Sequence, residues 1–137
     1  MKLCKLAVLC VLFAGAFVQA HSQTQLRVDV PFNFTVGNHS LPAGQYNVQT
    51  AWSDSNLTWR ISDQDGKSVF LATNTVESLK AAHQPSMVFR KIGAEYSLVQ
   101  FWLDGSSGRN VIRPKIANTV VAKADYVQIA ATSTSGR

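Results

Sequence analysis

Hydrophobic and polar residues alternate through much of the chain after its first twenty residues. Between Leu26 and Val36 every second residue is apolar, and polar or charged residues occupy most of the positions between them. Successive side chains of a β-strand point to opposite faces, so this period predicts a strand with one buried and one exposed face. Pro31 has no backbone N–H, which predicts that the strand lies at a sheet edge, is bulged, or is broken there.

Similar segments recur between clusters of turn-forming residues. Strands are predicted at 45–52, 57–62, 68–75, 86–91, 95–103 and 125–132, with turns at 37–44, 53–56, 63–66 and 92–94. Residues 104–108 are predicted as a flexible loop, 133–137 as a frayed tail, and 113–123 as the candidate for one short helix. About seven short strands at this spacing predict an all-β fold, either an antiparallel β-sandwich or a small barrel.

The first twenty residues have the three parts of a secretory signal peptide. Lys2 and Lys5 precede an apolar run over residues 6–18, and Val18-Gln19-Ala20 has residues of small or modest size where a signal peptidase acts. That run is short of the roughly 20 residues that a transmembrane helix needs. We therefore expect cleavage after Ala20, a single domain over 21–137 with frayed ends and no membrane span after cleavage. The expected location is the periplasm, the outer surface or the extracellular space.

Cleavage would change the chemistry of the chain. Both cysteines, Cys4 and Cys10, belong to the signal, so the domain that follows contains no thiol and no disulfide. The signal also holds two of the 13 Lys and Arg residues, which leaves 11 basic against 8 acidic residues and a formal charge of +3. The remaining basic residues are scattered, whereas nucleic-acid binding favours a clustered stripe of them, and we expect no nucleic-acid partner.

Two motifs near the start of the domain are distinctive. Val30-Pro31-Phe32-Asn33-Phe34-Thr35-Val36-Gly37 is followed by Leu41-Pro42-Ala43-Gly44-Gln45-Tyr46. The pair resembles the opening, V-P-F-x-F-x-V-G and L-P-A-G-x-Y, of a group of small, uncharacterised exported bacterial proteins. Similarity to that group extends to the D-Q-D-G, V-F-R-K-I-G and G-S-S-G-R segments further along the chain. The resemblance implies export and a β-rich domain, and it brings no catalytic residue.

Two segments and two histidines are the candidates for catalytic or metal-binding motifs. Asp63-x-Asp65-Gly66 resembles a calcium loop but lacks the final Glu, and Asp-Gly is typical of a hairpin turn. Gly105-Ser106-Ser107-Gly108 does not have the spacing of a nucleophile elbow. His39 and His83 both lie in predicted loops and give no support for a Ser–His–Asp triad. We therefore predict no catalytic residue and a non-enzymatic protein.

The histidines leave one metal hypothesis open. If cleavage follows Ala20, His21 becomes the N-terminal residue and offers an amine and an imidazole nitrogen. Together with His39 or His83 it would form a three-nitrogen copper site. The competing interpretation is that His21 belongs to a disordered tail, because the first strand begins near Gln25 and chain termini fray. We favour the tail and predict no bound metal or other cofactor.

Aromatic side chains are the remaining candidates for a binding site. Tyr46 and Trp52 are predicted on one face of their strand, and tryptophans of alternating strands most often belong to the core. Trp52 is also next to the turn at 53–56, where an exposed indole would form a platform for stacking on a sugar ring. The favoured expectation is a binding or structural domain whose partner is an envelope protein or a glycan. Copper binding through His21 and carbohydrate binding are the alternatives.

Overall fold

The computed structural model describes residues 24–78, 84–113 and 125–135. The regular structure of these residues consists of ten β-strands, which confirms the predicted all-β class. In chain order the strands are β1 (Thr24–Val30), β2 (Phe34–Val36), β3 (His39–Leu41), β4 (Gly44–Trp52), β5 (Ser55–Ser62), β6 (Ser68–Glu77), β7 (Ser86–Ile92), β8 (Glu95–Trp102), β9 (Ser107–Val111) and β10 (Asp125–Ser135). The predicted signal peptide, and all of the candidate helix except Arg113, lie outside the described residues.

Eight of the strands close into an antiparallel barrel. Their order around the barrel is β1-β4-β5-β6-β9-β8-β7-β10, and β10 pairs again with β1. The consecutive strands β7, β8 and β9 are neighbours, and β10 returns to lie beside β7, which is a Greek-key arrangement. Of the two architectures that the strand pattern predicts, the structure is therefore the small barrel. Closure pairs the edges that an open sheet would leave free.

Inward-facing side chains fill the barrel. The alternation in the first strand is confirmed, because Leu26, Val28 and Val30 of β1 are all buried. An eight-stranded barrel has an interior just wide enough for side chains to fill, so the core needs no disulfide or ligand to complete it. The other members of the core are Phe34, Val36, Tyr46, Val48, Trp59, Ile61, Leu71, Met87, Phe89, Leu98, Phe101 and Val111.

The chain leaves the barrel at Pro31. β1 ends at Val30 and β2 begins at Phe34, so the long alternating run is divided into two strands. Of the predicted alternatives at Pro31, which were an edge position, a bulge or a break, the structure has the break. β2 pairs with β3 and lies parallel to β8, where the hydroxyls of Thr35 and Ser97 are 2.9 Å apart. The β2–β3 hairpin is therefore an appendage to the barrel wall.

Three segments predicted as turn, loop or tail are strands. His39–Leu41 forms β3 because the turn before it is confined to Gly37 and Asn38, and Gly37 has a φ of 59° that favours glycine. Ser107 and Gly108 begin β9. The last three residues of β10 pair with the start of β1, where Leu26 lies opposite Ser133. Long-range pairing holds β9 and the end of β10 extended, whereas β3 is held by the adjacent strand β2. The turn-like composition of these segments does not predict either kind of pairing.

No helix in the described ranges has the length and hydropathy that crossing a membrane requires.

Candidate functional site

Trp52 differs from the other two tryptophans in its exposure. Its side chain is 56% exposed at the end of β4, whereas Trp59 is 2% and Trp102 is 5% exposed. The prediction that Tyr46 and Trp52 share a face is wrong, because Tyr46 is buried in the core. The pairing of β4 with β5 shifts in register between Thr50 and Trp52. Such an irregularity interrupts the alternation of side chains and redirects those beyond it.

The exposed indole of Trp52 is stacked on a second exposed aromatic ring. Its ring centroid is 6.0 Å from that of Phe70 on β6, and the two planes differ by 12°. Phe70 is also 56% exposed. Strand β5 lies between β4 and β6, so the contact joins two strands that are not neighbours. We call Trp52 and Phe70 the aromatic platform.

Polar side chains surround the aromatic platform on the outer face of the barrel. Arg60 lies between Trp59 and Ile61, which are both buried, so its side chain points outward. In the strand pairing, Arg60 is directly opposite Phe70 on one side and Gln49 on the other. A guanidinium and an amide thus share one cross-strand row with an exposed phenyl ring.

The next row along the same strands is polar throughout. Arg27, Asn47, Ser62 and Ser68 follow one another across β1, β4, β5 and β6. The Arg27 Nε donates to Asn47 Oδ1 at 3.3 Å, and the hydroxyls of Ser62 and Ser68 are 2.9 Å apart. We call the two rows together the polar sheet face. It presents donors and acceptors on the outer wall of the barrel and shares Phe70 with the aromatic platform.

This combination of groups is suited to binding sugars. The faces of aromatic rings pack against apolar surfaces while leaving polar groups at their edges free. Amide, hydroxyl and guanidinium groups supply both donors and acceptors for ligand hydroxyls. Side chains on adjacent barrel strands are held in register by the backbone, so such a surface needs little ordering when a ligand binds.

A second polar region lies at the opposite end of β4. The L-P-A-G-x-Y and D-Q-D-G segments meet there and line a small surface pocket. The Tyr46 hydroxyl donates to the carbonyl of Pro42 at 2.5 Å, and Asn33 Oδ1 accepts from the backbone N–H of Ala43 at 3.0 Å. Gln64 Nε2 donates to Gln45 Oε1 at 2.6 Å across the two segments. These contacts join the two motifs to each other, and the groups that make them are engaged within the protein.

The Asp63–Asp65 segment forms a hairpin turn, as predicted. Asp63 Oδ1 accepts from the backbone N–H of Lys67 at 2.9 Å, and Gly66 has a φ of 84°. Its carboxylate is therefore used in closing the loop between β5 and β6. Burial, together with this nearby carboxylate, raises the pKa of Tyr46 above the usual 10.0. The likeness of the segment to a calcium loop is accounted for by its turn geometry.

The predicted loop at 104–108 is shorter in the structure, because residues 103–106 connect β8 to β9 and Ser107 and Gly108 belong to β9. Asp104 Oδ1 accepts from the backbone N–H groups of Ser107 at 2.7 Å and Ser106 at 2.9 Å. These hydrogen bonds, the one from Ser107 above all, lower the pKa of Asp104 below its usual 3.8. Leu103 N–H also donates to Ser107 carbonyl at 2.9 Å. Ser106 and Ser107 thus serve the β8–β9 connection.

Of the three candidate metal ligands, His39 alone lies within the described residues. His39 is exposed on β3, while His21 and His83 lie outside the described residues. Across the described part of the chain, no group of three or more His, Cys, Asp or Glu side chains is placed to hold a metal ion. The copper hypothesis therefore stays a prediction from the sequence.

Trp52 was predictable from the sequence as a candidate, whereas its neighbours Phe70 and Arg60 were not. Phe70 lies in the run Val69-Phe70-Leu71-Ala72, where four apolar residues in succession hide the alternation. Phe70 lies between Val69 and Leu71, which both face inward in the structure. Assigning those two residues to the core would have placed Phe70 on the exposed face. No comparable signal marks Arg60, since arginine at an outward position is ordinary.

The described residues form a small closed antiparallel barrel with exposed aromatic and polar side chains together on its wall. No protein-family model, curated protein or solved structure matches the chain. The chemistry of those side chains is therefore the guide to function.

Proposed function

We propose that the protein is an exported, non-enzymatic binding domain whose partner is a carbohydrate. The aromatic platform is the observation that carries the proposal. Trp52 and Phe70 are each more than half exposed, and they are held parallel to one another on a rigid wall. Large aromatic side chains are costly to leave in water, and an ordered, exposed pair of them marks an interaction surface.

The neighbours of the platform favour a sugar over an apolar partner. A protein–protein contact of ordinary strength has an apolar centre, whereas Trp52 and Phe70 are bordered by the amide of Gln49 and the guanidinium of Arg60. A sugar ring presents apolar C–H groups on its faces and hydroxyls at its edges, so stacking and hydrogen bonding occur together. This arrangement of groups is the one that the polar sheet face offers.

The polar clusters elsewhere support a role without catalysis. Asp63 Oδ1, Asp104 Oδ1 and the Tyr46 hydroxyl each form a hydrogen bond with backbone groups of turns and strand ends. These hydrogen bonds hold the barrel connections in place. The proposal therefore assigns them to the stability of the fold.

Export is the part of the proposal that the N-terminal sequence supports. Lys2 and Lys5, the apolar run and the site after Ala20 make up a secretory signal. Expression of the full chain in a bacterial host, followed by cell fractionation and mass spectrometry of the intact protein, tests this directly. We expect a periplasmic or secreted product that begins at His21. A cytoplasmic product that retains Met1–Ala20 would contradict it.

Affinity electrophoresis tests the binding function. The processed protein is run through gels containing dextran, hydroxyethyl cellulose, xylan or polygalacturonate. We expect at least one polysaccharide to retard the wild type, Trp52→Ala to abolish the retardation, and Tyr126→Ala to leave it unchanged. Tyr126 is a matched control because it is 67% exposed but lies on β10, away from the platform. Migration unaffected by every polysaccharide, or retardation that survives Trp52→Ala, would contradict the proposal.

A further inference from the structure

Arg60 has no partner that accounts for its position. Its Nε atom is enclosed, and within the described residues it has no hydrogen-bond partner. A buried donor left without an acceptor costs free energy, and such groups in folded proteins call for an explanation. No carboxylate of the described residues forms an ion pair with Arg60 either. The Arg60 side chain thus lies on the outer wall, next to the aromatic platform, with its enclosed Nε lacking an acceptor among the described residues.

The surroundings of Arg60 contain no negative charge to match it. The exposed and outward positions of β4, β5 and β6 from residue 45 to residue 74 hold amides, hydroxyls, alanine, Leu57 and the two rings of the aromatic platform. Arg60 is the charged side chain among them. Acidic residues lie at the ends of this face, with Asp29 near the end of β1 and Asp54 in the turn between β4 and β5. The centre of the polar sheet face therefore favours an anionic group.

We infer that the glycan bound at the aromatic platform is an acidic one, and that Arg60 binds its carboxylate while a sugar ring stacks on Trp52. This inference rests on the proposed function and adds the class of sugar. A guanidinium presents parallel N–H groups that match the two oxygens of a carboxylate. In the strand pairing, Arg60 is directly opposite Phe70, whose ring stacks on Trp52. A single uronic-acid residue would thus stack its ring on Trp52 and direct its carboxylate to Arg60.

The experiment compares two polymers with the same sugar backbone, one with free carboxylates and one with neutral methyl esters. Binding to polygalacturonate and to its methyl ester is measured by isothermal titration calorimetry at fixed ionic strength, because surface charge interactions weaken as salt increases. We expect the wild type to bind the acid form about tenfold more tightly than the ester, the size of effect that one charge-assisted hydrogen bond produces. The same sugar backbone in both polymers isolates the contribution of the carboxylate.

Three arginine variants separate this role from general charge attraction. Arg60→Gln should lower the affinity for the acid form to that for the ester and leave ester binding unchanged. Arg60→Lys keeps the charge but loses the planar fork, and its affinity should fall between the two. Arg90→Gln is the matched control. Its Nε is likewise enclosed without a partner, and it lies on β7, four strands from β5 in either direction around the barrel. It should behave as the wild type.

The failures of the two proposals are distinguishable. Equal affinity for acid and ester that is lost in Trp52→Ala would overturn the role of Arg60 while the carbohydrate function stands. A preference for the acid form that falls equally in Arg60→Gln and Arg90→Gln would also overturn it, since net charge would then explain the binding. Binding to neither polymer nor to any polysaccharide of the panel would overturn both proposals.

Discussion

The indole of Trp52 lies nearly parallel to the phenyl ring of Phe70, with their centroids 6.0 Å apart, although their strands are separated by β5. The register shift near the end of β4 is what makes this contact possible, because it accompanies the change of Trp52 from the buried face to the exposed one. An irregularity in the sheet therefore produces the feature on which the proposed function depends.

The two rings should stabilise each other by a small, measurable amount. Aromatic pairs contribute about 0.5–1.5 kcal/mol beyond the area they bury, and exposure places this pair at the lower end. A double-mutant cycle with Trp52→Ala and Phe70→Ala, measured by urea unfolding, should give a coupling free energy of about 0.5 kcal/mol. The cycle of Trp52→Ala with Tyr126→Ala should give additive effects, since those residues are distant. A coupling free energy of zero in the first cycle would show that the stacking does not contribute to stability.

Gly108 should tolerate no side chain. A Cβ added there would lie 2.7 Å from Cε3 of Trp102, whose buried ring covers it. Forcing an extra methyl group into a packed site costs about 1–3 kcal/mol, so Gly108→Ala should lower the free energy of unfolding by that amount. Gly44→Ala is the matched control on another strand, because its Cβ would meet Tyr46 at an ordinary 4.0 Å. Equal losses of unfolding free energy in the two variants would show that Trp102 moves aside at no cost and would contradict the expected clash.

The Tyr46 hydroxyl should contribute to stability through its bond to Pro42. Tyr46→Phe keeps the ring in the core and removes only the donor to that carbonyl. A hydrogen bond of this kind contributes about 1 kcal/mol, so the free energy of unfolding should fall by that amount at neutral pH. An unchanged value would mean that water replaces the hydroxyl at no cost.

The same residue should make the protein sensitive to alkali. Because burial and Asp63 raise the pKa of Tyr46, the folded protein holds the phenolic proton more tightly than the unfolded chain does. That contribution is complete below about pH 10 and is lost as the pH rises through the folded-state pKa. The free energy of unfolding should therefore fall more steeply above about pH 10 in the wild type than in Tyr46→Phe. Parallel pH profiles would refute the assignment.

Asp104 should stabilise the β8–β9 turn only while it is ionised. Its lowered pKa means that its contribution is present above the usual carboxyl pKa of 3.8 and is lost as the pH falls through the lower folded-state value. Asp104→Ala should therefore shift the urea midpoint downward at neutral pH and have less effect at about pH 2. Asp54→Ala, in the β4–β5 turn, makes a suitable control, since no side-chain hydrogen bond of Asp54 occurs among the described residues. A deficit in Asp104→Ala that persists unchanged in acid would contradict this role.

The strand pattern was predictable where side chains alternate without interruption. The inward positions of β1 and the hairpin turns at 63–66 and 92–94 all follow from local sequence. The register shifts in the β4–β5 and β7–β8 pairings were not predictable, because each depends on how one strand pairs with another. Leu98 and Phe101 are three residues apart yet both buried, since the register of β7 against β8 shifts between Val88 and Phe89. The alternation rule alone places those two side chains on opposite faces.

The candidate site was predictable only in part for a similar reason. Trp52 could be singled out because it lies next to a turn, but its position relative to Phe70 depends on the packing of three strands. The strands β3 and β9 were assigned to a turn and a loop because His39-Ser40 and Ser107-Gly108 are typical turn residues. Strand β9 pairs with β6, which is distant in sequence, and a local pattern cannot predict such a pairing. Strand β3 pairs with the neighbouring strand β2 in a hairpin whose turn is confined to Gly37 and Asn38, so residues that are typical of turns became part of a strand.

Quenching of tryptophan fluorescence by acrylamide tests the central claim most directly. Trp52 is the exposed tryptophan, while Trp59 and Trp102 are buried, so the quenchable part of the emission reports on Trp52 alone. The measurement is made with and without a saturating amount of the polysaccharide that most retards the protein in affinity gels. We predict that the polysaccharide protects the quenchable fraction in the wild type and in Tyr126→Ala. An unchanged quenchable fraction in the saturated complex would contradict the claim that a sugar ring covers Trp52.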